Sequence, residues 1–119
     1  MGSPDVPPPA DPVDPDTFFA ADLRAGTVVR VEPFPEARTP AWKLTVDLGP
    51  LGTRASSARL TDLYAAQDLL GKQVVALVNV PPRRIGPFVS ECLVTGFDGD
   101  GGVVVATVER PVPNGARLY

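Results

Sequence analysis

Two adjacent arginines, Arg83 and Arg84, carry the most legible chemistry in this chain. They sit in the stretch Asn79-Val80-Pro81-Pro82-Arg83-Arg84-Ile85-Gly86-Pro87-Phe88-Val89-Ser90-Glu91, flanked by apolar runs at Val74 to Val80 and Phe88 to Thr95. A guanidinium is always charged and donates a planar fork of N–H bonds, so it suits carboxylates, phosphates and carbonyls. Pro81, Pro82 and Pro87 stiffen the loop while Gly86 is free to take unusual dihedrals, so the arginines are presented at little entropic cost. Folding alone requires neither charge. The loop reads as a binding surface.

Catalysis has no comparable candidate. With no histidine in 119 residues, the chain cannot build a histidine triad, a histidine-ligated zinc site or a histidine general base. The carboxylates fall mostly in turns and near the N-terminus, not as a convergent pair. Gly99, Gly101 and Gly102 read as a hairpin turn, and neither glycine-rich phosphate cradle is present. The lone Cys92 cannot form an internal disulfide and lies in a strand-like run, as a small buried thiol would. No cofactor or metal is expected.

The net charge of −3 argues against a surface that grips nucleic acid everywhere. Its distribution leaves room for a local basic patch. Asp5, Asp11, Asp14, Asp16 and Asp22 crowd the start, whereas Arg54, Arg59, Lys72, Arg83 and Arg84 lie in the body. No apolar run is long enough to cross a bilayer and no basic n-region precedes an apolar stretch, so a cytoplasmic location without membrane insertion is expected.

The elements that position the loop are mainly strands. Residues 1–15 are rich in proline with little to bury, and read as a disordered or extended tail. Asp16 or Thr17 caps a short helical turn through Phe18, Phe19, Ala20 and Ala21. Leu23 to Val31 reads as a first strand, followed by a proline-rich loop. Trp42 to Leu48 alternates, with Trp42, Leu44, Val46 and Leu48 on one face. Thr53 to Ala58 is a polar third strand. Thr61 caps a helix to Leu70 that Gly71 ends. Gln73 to Val80, Phe88 to Phe97 and Val103 to Val108 complete the strands. Residues 16–119 then form one all-β domain. The expected architecture is an OB-fold, a five-stranded Greek-key barrel with one short inserted helix and short N- and C-terminal extensions.

Several separated motifs carry a family resemblance. Asp22-Leu23-Arg24-Ala25-Gly26-Thr27-Val28 resembles the D-[LI]-R-[VA]-G opening of the tRNA-binding OB-fold domain, a module appended to methionyl- and phenylalanyl-tRNA synthetases and also found free-standing. Gly71-Lys72-Gln73-Val74-Val75-Ala76 and the Asn79 to Glu91 stretch look like its second and third signatures. Pro33-Phe34-Pro35-Glu36-Ala37-Arg38, Leu60-Thr61-Asp62-Leu63-Tyr64, Pro81-Pro82-Arg83-Arg84-Ile85-Gly86, Ser90-Glu91-Cys92-Leu93 and Pro111-Val112-Pro113-Asn114-Gly115-Ala116-Arg117 resemble the CsaA type, the export-related chaperone branch. The likeness covers about residues 17–118. It implies a homodimer joined through the N-terminal turn and the C-terminal segment, with Phe18, Phe19, Pro111, Pro113 and Asn114 at the interface, although Phe18 and Phe19 can instead pack against the chain's own barrel.

Two non-enzymatic functions follow from that resemblance. In the first, a dimeric chaperone-like module binds unfolded or export-destined polypeptides, with the secretion ATPase as a possible partner. Phe34, Trp42 and Phe88 would line a groove for apolar side chains while Arg83 and Arg84 pair with acidic or backbone groups. Trp42 and Phe88 can equally fill the barrel. In the second, the same surface binds tRNA. Lys43, Arg54, Arg59, Arg83 and Arg84 would meet phosphates, and Asn79, Ser90 and Glu91 a base edge. Asn79 can instead tie its own loop to a neighbouring strand.

Overall fold

The architecture was obtained as a computed structural model that describes residues 6–119. Five strands, β1 (Leu23–Pro33), β2 (Trp42–Asp47), β3 (Thr53–Ala58), β4 (Gln73–Leu77) and β7 (Leu93–Val94), form an antiparallel sheet in the order β3-β2-β1-β4-β7. A bulge between Val28 and Arg30 bends β1, so that its first half pairs with β4 and its second half with β2. The sheet then curls until β3 meets the chain just before β7, where Glu91 N–H and Cys92 N–H both donate to the Ala55 carbonyl at 2.7 and 3.2 Å. The result is a nearly closed five-stranded barrel, the OB-fold expected.

Alternation along β2 builds the core. Leu44, Val46 and Leu48 are buried, joined by Val28, Leu69, Val74 and Ala76 from the neighbouring elements. The edge of β1 not covered by β2 is taken by the C-terminal segment. Ala25 N–H donates to Ala116 O, Gly115 N–H to Ala25 O and Leu118 N–H to Leu23 O, at 2.7–2.8 Å. Gly115 makes this possible with φ +93, and a Cβ there would lie 2.6 Å from the Leu48 carbonyl.

Several expected boundaries shift, β1 running on to Pro33 and β4 ending at Leu77 among them. The helix read from Thr61 to Leu70 is only α2 (Ala66–Leu69), preceded by a turn in which Leu60 is buried and Tyr64 N–H bonds Leu60 O. Its start is marked by Asp68, whose carboxylate accepts the Ala65 N–H at 2.8 Å, not by Thr61. Gly71 does follow it with φ 86. The N-terminal helix α1 (Pro15–Ala20) is preceded by Asp14 as its flanking residue, with Pro15 at the first position, where its missing N–H costs nothing. The long strand read from Phe88 to Phe97 is broken into β6 (Phe88–Ser90), β7 and β8 (Gly96–Gly99). It breaks because the chain changes partner. β6 pairs with β5 (Arg83–Ile85), β7 with β4, and β8 with β9 (Gly102–Val105), which ends earlier than the Val108 expected.

Residues 6–14 lie in no helix or strand and are exposed; residues 1–5 of the proline-rich tail fall outside the described residues. No described helix is long and apolar enough to cross a membrane.

Candidate ligand-binding groove

The proline-braced loop is a hairpin, and its pairing decides which arginine is useful. Across β5 and β6, Arg83 opposes Ser90, Arg84 opposes Val89 and Ile85 opposes Phe88. Side chains alternate along a strand, so Arg83, Ile85, Ser90 and Phe88 share one face, and Arg84 and Val89 the other. The first face closes one side of a groove of about 800 Å³. The groove is also lined by the end of β3 with the residues beyond it, Ser57 to Leu60, and by the segment Glu36 to Thr39. Ala41, Ala58, Leu60, Cys92, Val94 and Val103 give it an apolar floor. Arg38, Arg59 and Arg83 stand around it with Glu36, and no aromatic side chain lines it.

None of Arg38, Arg59, Arg83 and Arg84 takes part in an ion pair among the described residues. Three arginines against one glutamate leave the groove with a local positive charge of two on a chain that is acidic overall. Cys92 on the floor is inert by environment. Burial pushes its thiol up to about 11, so it stays protonated at neutral pH.

The predicted binding residues divide into three groups. Arg59, Arg83 and Ser90 line the groove. Phe34, Phe88 and Lys43 hold the hairpin in place instead. Phe34 is buried, its ring sits edge-on to Phe88 at 5.2 Å, and Lys43 Nζ lies 5.5 and 5.8 Å from the two rings. The remaining side chains are spent on the fold or point away. The Trp42 indole donates to Tyr64 O at 3.0 Å and packs on the core, and Arg54 Nη1 donates to Val78 O at 3.1 Å. Arg84 is exposed on the hairpin's other face.

Ser90 and Glu91 both reach β3, although strict alternation along one strand would have separated them. The strand ends at Ser90, and the backbone turn frees the Glu91 carboxylate to accept Ala55 N–H at 2.9 Å while Ser90 Oγ accepts Ser57 N–H at 3.1 Å. Asn79 ties the barrel to α1. Its Oδ1 accepts Asp22 N–H at 2.9 Å and its Nδ2 donates to Ala20 O at 2.7 Å. Sequence reasoning left Arg38 out of the site. The one available signal was that Arg38 is the only cation in the proline-punctuated run Pro33 to Pro40.

The termini form a second, contrasting region. Asp22 takes Arg24 Nε at 2.6 Å and Nη2 at 3.3 Å, with Arg117 Nε at 3.5 Å. Arg24 Nη1 continues to Gly115 O at 3.0 Å, and Arg117 also donates to Phe19 O at 2.6 Å. The hydrogen bond from Arg24 is the main reason the Asp22 carboxyl titrates below its ordinary value. Among the proposed interface residues, Phe18 and Phe19 are exposed and meet edge-on at 5.3 Å, and Pro111 and Pro113 are exposed. Asn114 is engaged internally, its Oδ1 accepting from Thr27 Oγ1 at 2.8 Å and Gln73 Nε2 at 3.1 Å. Beside them lies an apolar hollow of about 250 Å³ lined by Val75, Val112, Leu118 and Tyr119 among others.

Comparison with known proteins agrees with this geometry. A family model described as a putative tRNA binding domain matches residues 23–117. Among solved structures, the chaperone CsaA of Bacillus anthracis strain Ames is 43% identical with a TM-score of 0.85, over 92% of this chain and 100% of that one. The CsaA chaperone protein of Picrophilus torridus is 35% identical with a TM-score of 0.85, over 90% and 99%. A methionine–tRNA ligase of Methanococcus maripaludis strain C5 is 29% identical over 109 residues, which are 92% of this chain and 16% of that protein. The chain thus spans about a sixth of the length of the first curated relatives it matches.

Proposed function

This chain belongs to the putative tRNA binding domain family, and we propose that it serves as a chaperone-like holder whose groove takes extended stretches of unfolded or export-destined polypeptide. The make-up of the groove carries the reading. Its floor is apolar, its cations have no ion-pair partners among the described residues, and no aromatic lines it. An extended chain offers what such a groove accepts, namely apolar side chains for the floor and carbonyls or carboxylates for the arginines. Likeness to the two CsaA chaperones over nearly the whole chain points the same way. No bond needs to be made or broken, so the role is binding without catalysis.

The second reading is tRNA binding, favoured by the family match and by the same unpaired arginines, which suit phosphates. OB-folds that hold single strands stack bases on exposed aromatic rings. Here Trp42 and Phe34 are committed elsewhere, which ranks polypeptide ahead. A homodimer completes the proposal. Phe18, Phe19, Leu118 and Tyr119 are exposed apolar surface near the joined termini, suited to a second copy.

The test uses reduced, carboxymethylated α-lactalbumin, a permanently unfolded polypeptide, carrying a fluorescent label. Saturable binding is expected, weakened about tenfold or more by the double substitution Arg59→Ala and Arg83→Ala, since both charge-assisted donors are lost from a solvent-exposed rim. Absence of binding, alongside tight tRNA binding with a steep salt slope, would move the function to the second reading.

A further inference from the structure

We infer that the acidic, proline-rich N-terminal segment of this same chain is a tethered pseudo-ligand of the groove, competing with the polypeptides that the groove receives. The inference rests on the polypeptide-binding reading above, because residues 6–14, exposed and in no helix or strand, offer the groove a polypeptide segment from the same chain.

Charge supplies the first argument. Asp5, Asp11, Asp14 and Asp16 give the first sixteen residues a charge of −4, and no lysine or arginine precedes Arg24. The groove offers Arg38, Arg59 and Arg83 with no ion pair to satisfy them among the described residues. Chemistry of the side chains supplies the second. Val6 and Val13 are 91% and 67% exposed, so the tail carries apolar groups that the barrel does not bury and that suit an apolar floor. Its prolines hold it extended before it binds, which lowers the entropy lost on docking.

Reach supplies the third. Asn79 Nδ2 holds Ala20 O at 2.7 Å, so the end of α1 is fixed beside Val80, and Val80 and Pro81 are part of the groove wall. From there α1 runs six residues, about 9 Å at the helical rise. Residues 6–14, at about 3.1 Å each in an extended polyproline conformation, add roughly 28 Å. That span exceeds the length of α1, so the tail can turn back to the groove wall at Val80 and Pro81. In the structure residues 6–14 are exposed and the groove is open, which is the arrangement a competing ligand would meet.

A short tether gives an effective concentration of the order of millimolar. A few solvent-exposed ion pairs make a weak contact, so the tail should occupy the groove part of the time and not seal it. It would then act as a threshold that favours longer or more acidic clients over casual ones.

The test compares the full chain with its Asp5→Asn, Asp11→Asn, Asp14→Asn variant, which leaves barrel and groove untouched. Labelled carboxymethylated α-lactalbumin is titrated at low and high salt, and backbone amide shifts of both proteins are recorded without ligand. The variant is expected to bind roughly two- to tenfold tighter at low salt, with the difference vanishing near 0.5 M salt. Amides of Arg59, Arg83 and Ser90 should differ between the two proteins, and Arg59→Ala with Arg83→Ala should erase that difference. Equal affinities with identical amide shifts would overturn the inference while leaving the groove's function intact. Absence of lactalbumin binding in either protein would remove the function, and with it competition by the tail. Shift differences that grow with protein concentration would place the tail in a second copy's groove, contradicting the intramolecular contact.

Discussion

The groove and the seam of the termini use the same residue type in opposite ways. At the seam, Arg24 and Arg117 share Asp22 and reach backbone carbonyls at Gly115 and Phe19, so their charge is consumed inside the chain. Around the groove, Arg38, Arg59 and Arg83 stand on a braced hairpin and two loops with no ion pair among the described residues. An arginine with its partner supplied by the fold stabilises the fold. An arginine left open on a rigid element is available to a ligand. Position in a family motif does not separate these cases; partners do.

This contrast breaks most visibly at Gly115. A Gly115→Ala chain must place a Cβ 2.6 Å from Leu48 O at φ +93, so the seam should lose about 2 kcal/mol or more, read as a lower denaturation midpoint. Next comes the groove. Arg59→Ala with Arg83→Ala should lower affinity for unfolded polypeptide about tenfold, yet shift stability by no more than about 0.5 kcal/mol, because neither side chain has a pairing partner among the described residues to lose. A large fall in melting temperature would mean these arginines are structural after all.

Asn79→Ala should do the reverse, costing about 1–2 kcal/mol of stability through two lost hydrogen bonds while leaving affinity unchanged. The pH dependence sharpens the seam's half of the comparison. The Asp22 carboxyl titrates below 3.8, so its contribution is full above that value and fades as pH falls beneath it. Asp22→Asn should therefore lower stability at pH 7 and cost progressively less as pH falls below 3.8, in paired thermal melts. On the groove floor, the Cys92 thiol is raised from 9.0 to about 11, so the unfolded chain gains thiolate first and stability should fall between those pH values. Arg84→Ala is the smallest effect, within about twofold in affinity, because it lies on the hairpin's other face.

Much of this was legible in the residues. The clean alternation from Trp42 to Leu48 gave β2 its buried face, and separated motifs pointed to the barrel and to the family before any coordinates. The hairpin around Gly86-Pro87 was not legible as a hairpin, because a continuous apolar run from Phe88 hides the changes of strand partner at Glu91 and Thr95. That omission led Arg83 and Arg84 to be read as a pair when pairing puts them on opposite faces. Trp42, Asn79 and Arg54 were read by residue type, but what each binds is set by long-range neighbours, Tyr64, Ala20 and Val78, that no local pattern names. Arg38 was missed because its loop has no periodicity to place it.

The most direct test of the polypeptide groove is to map backbone amide shifts of the full chain while carboxymethylated α-lactalbumin is added to saturation. The account predicts that perturbed amides gather at residues 36–41, 57–60 and 83–90, with the seam at residues 22–26 and 112–118 silent. Perturbations centred on the seam, or none at saturation, would contradict it.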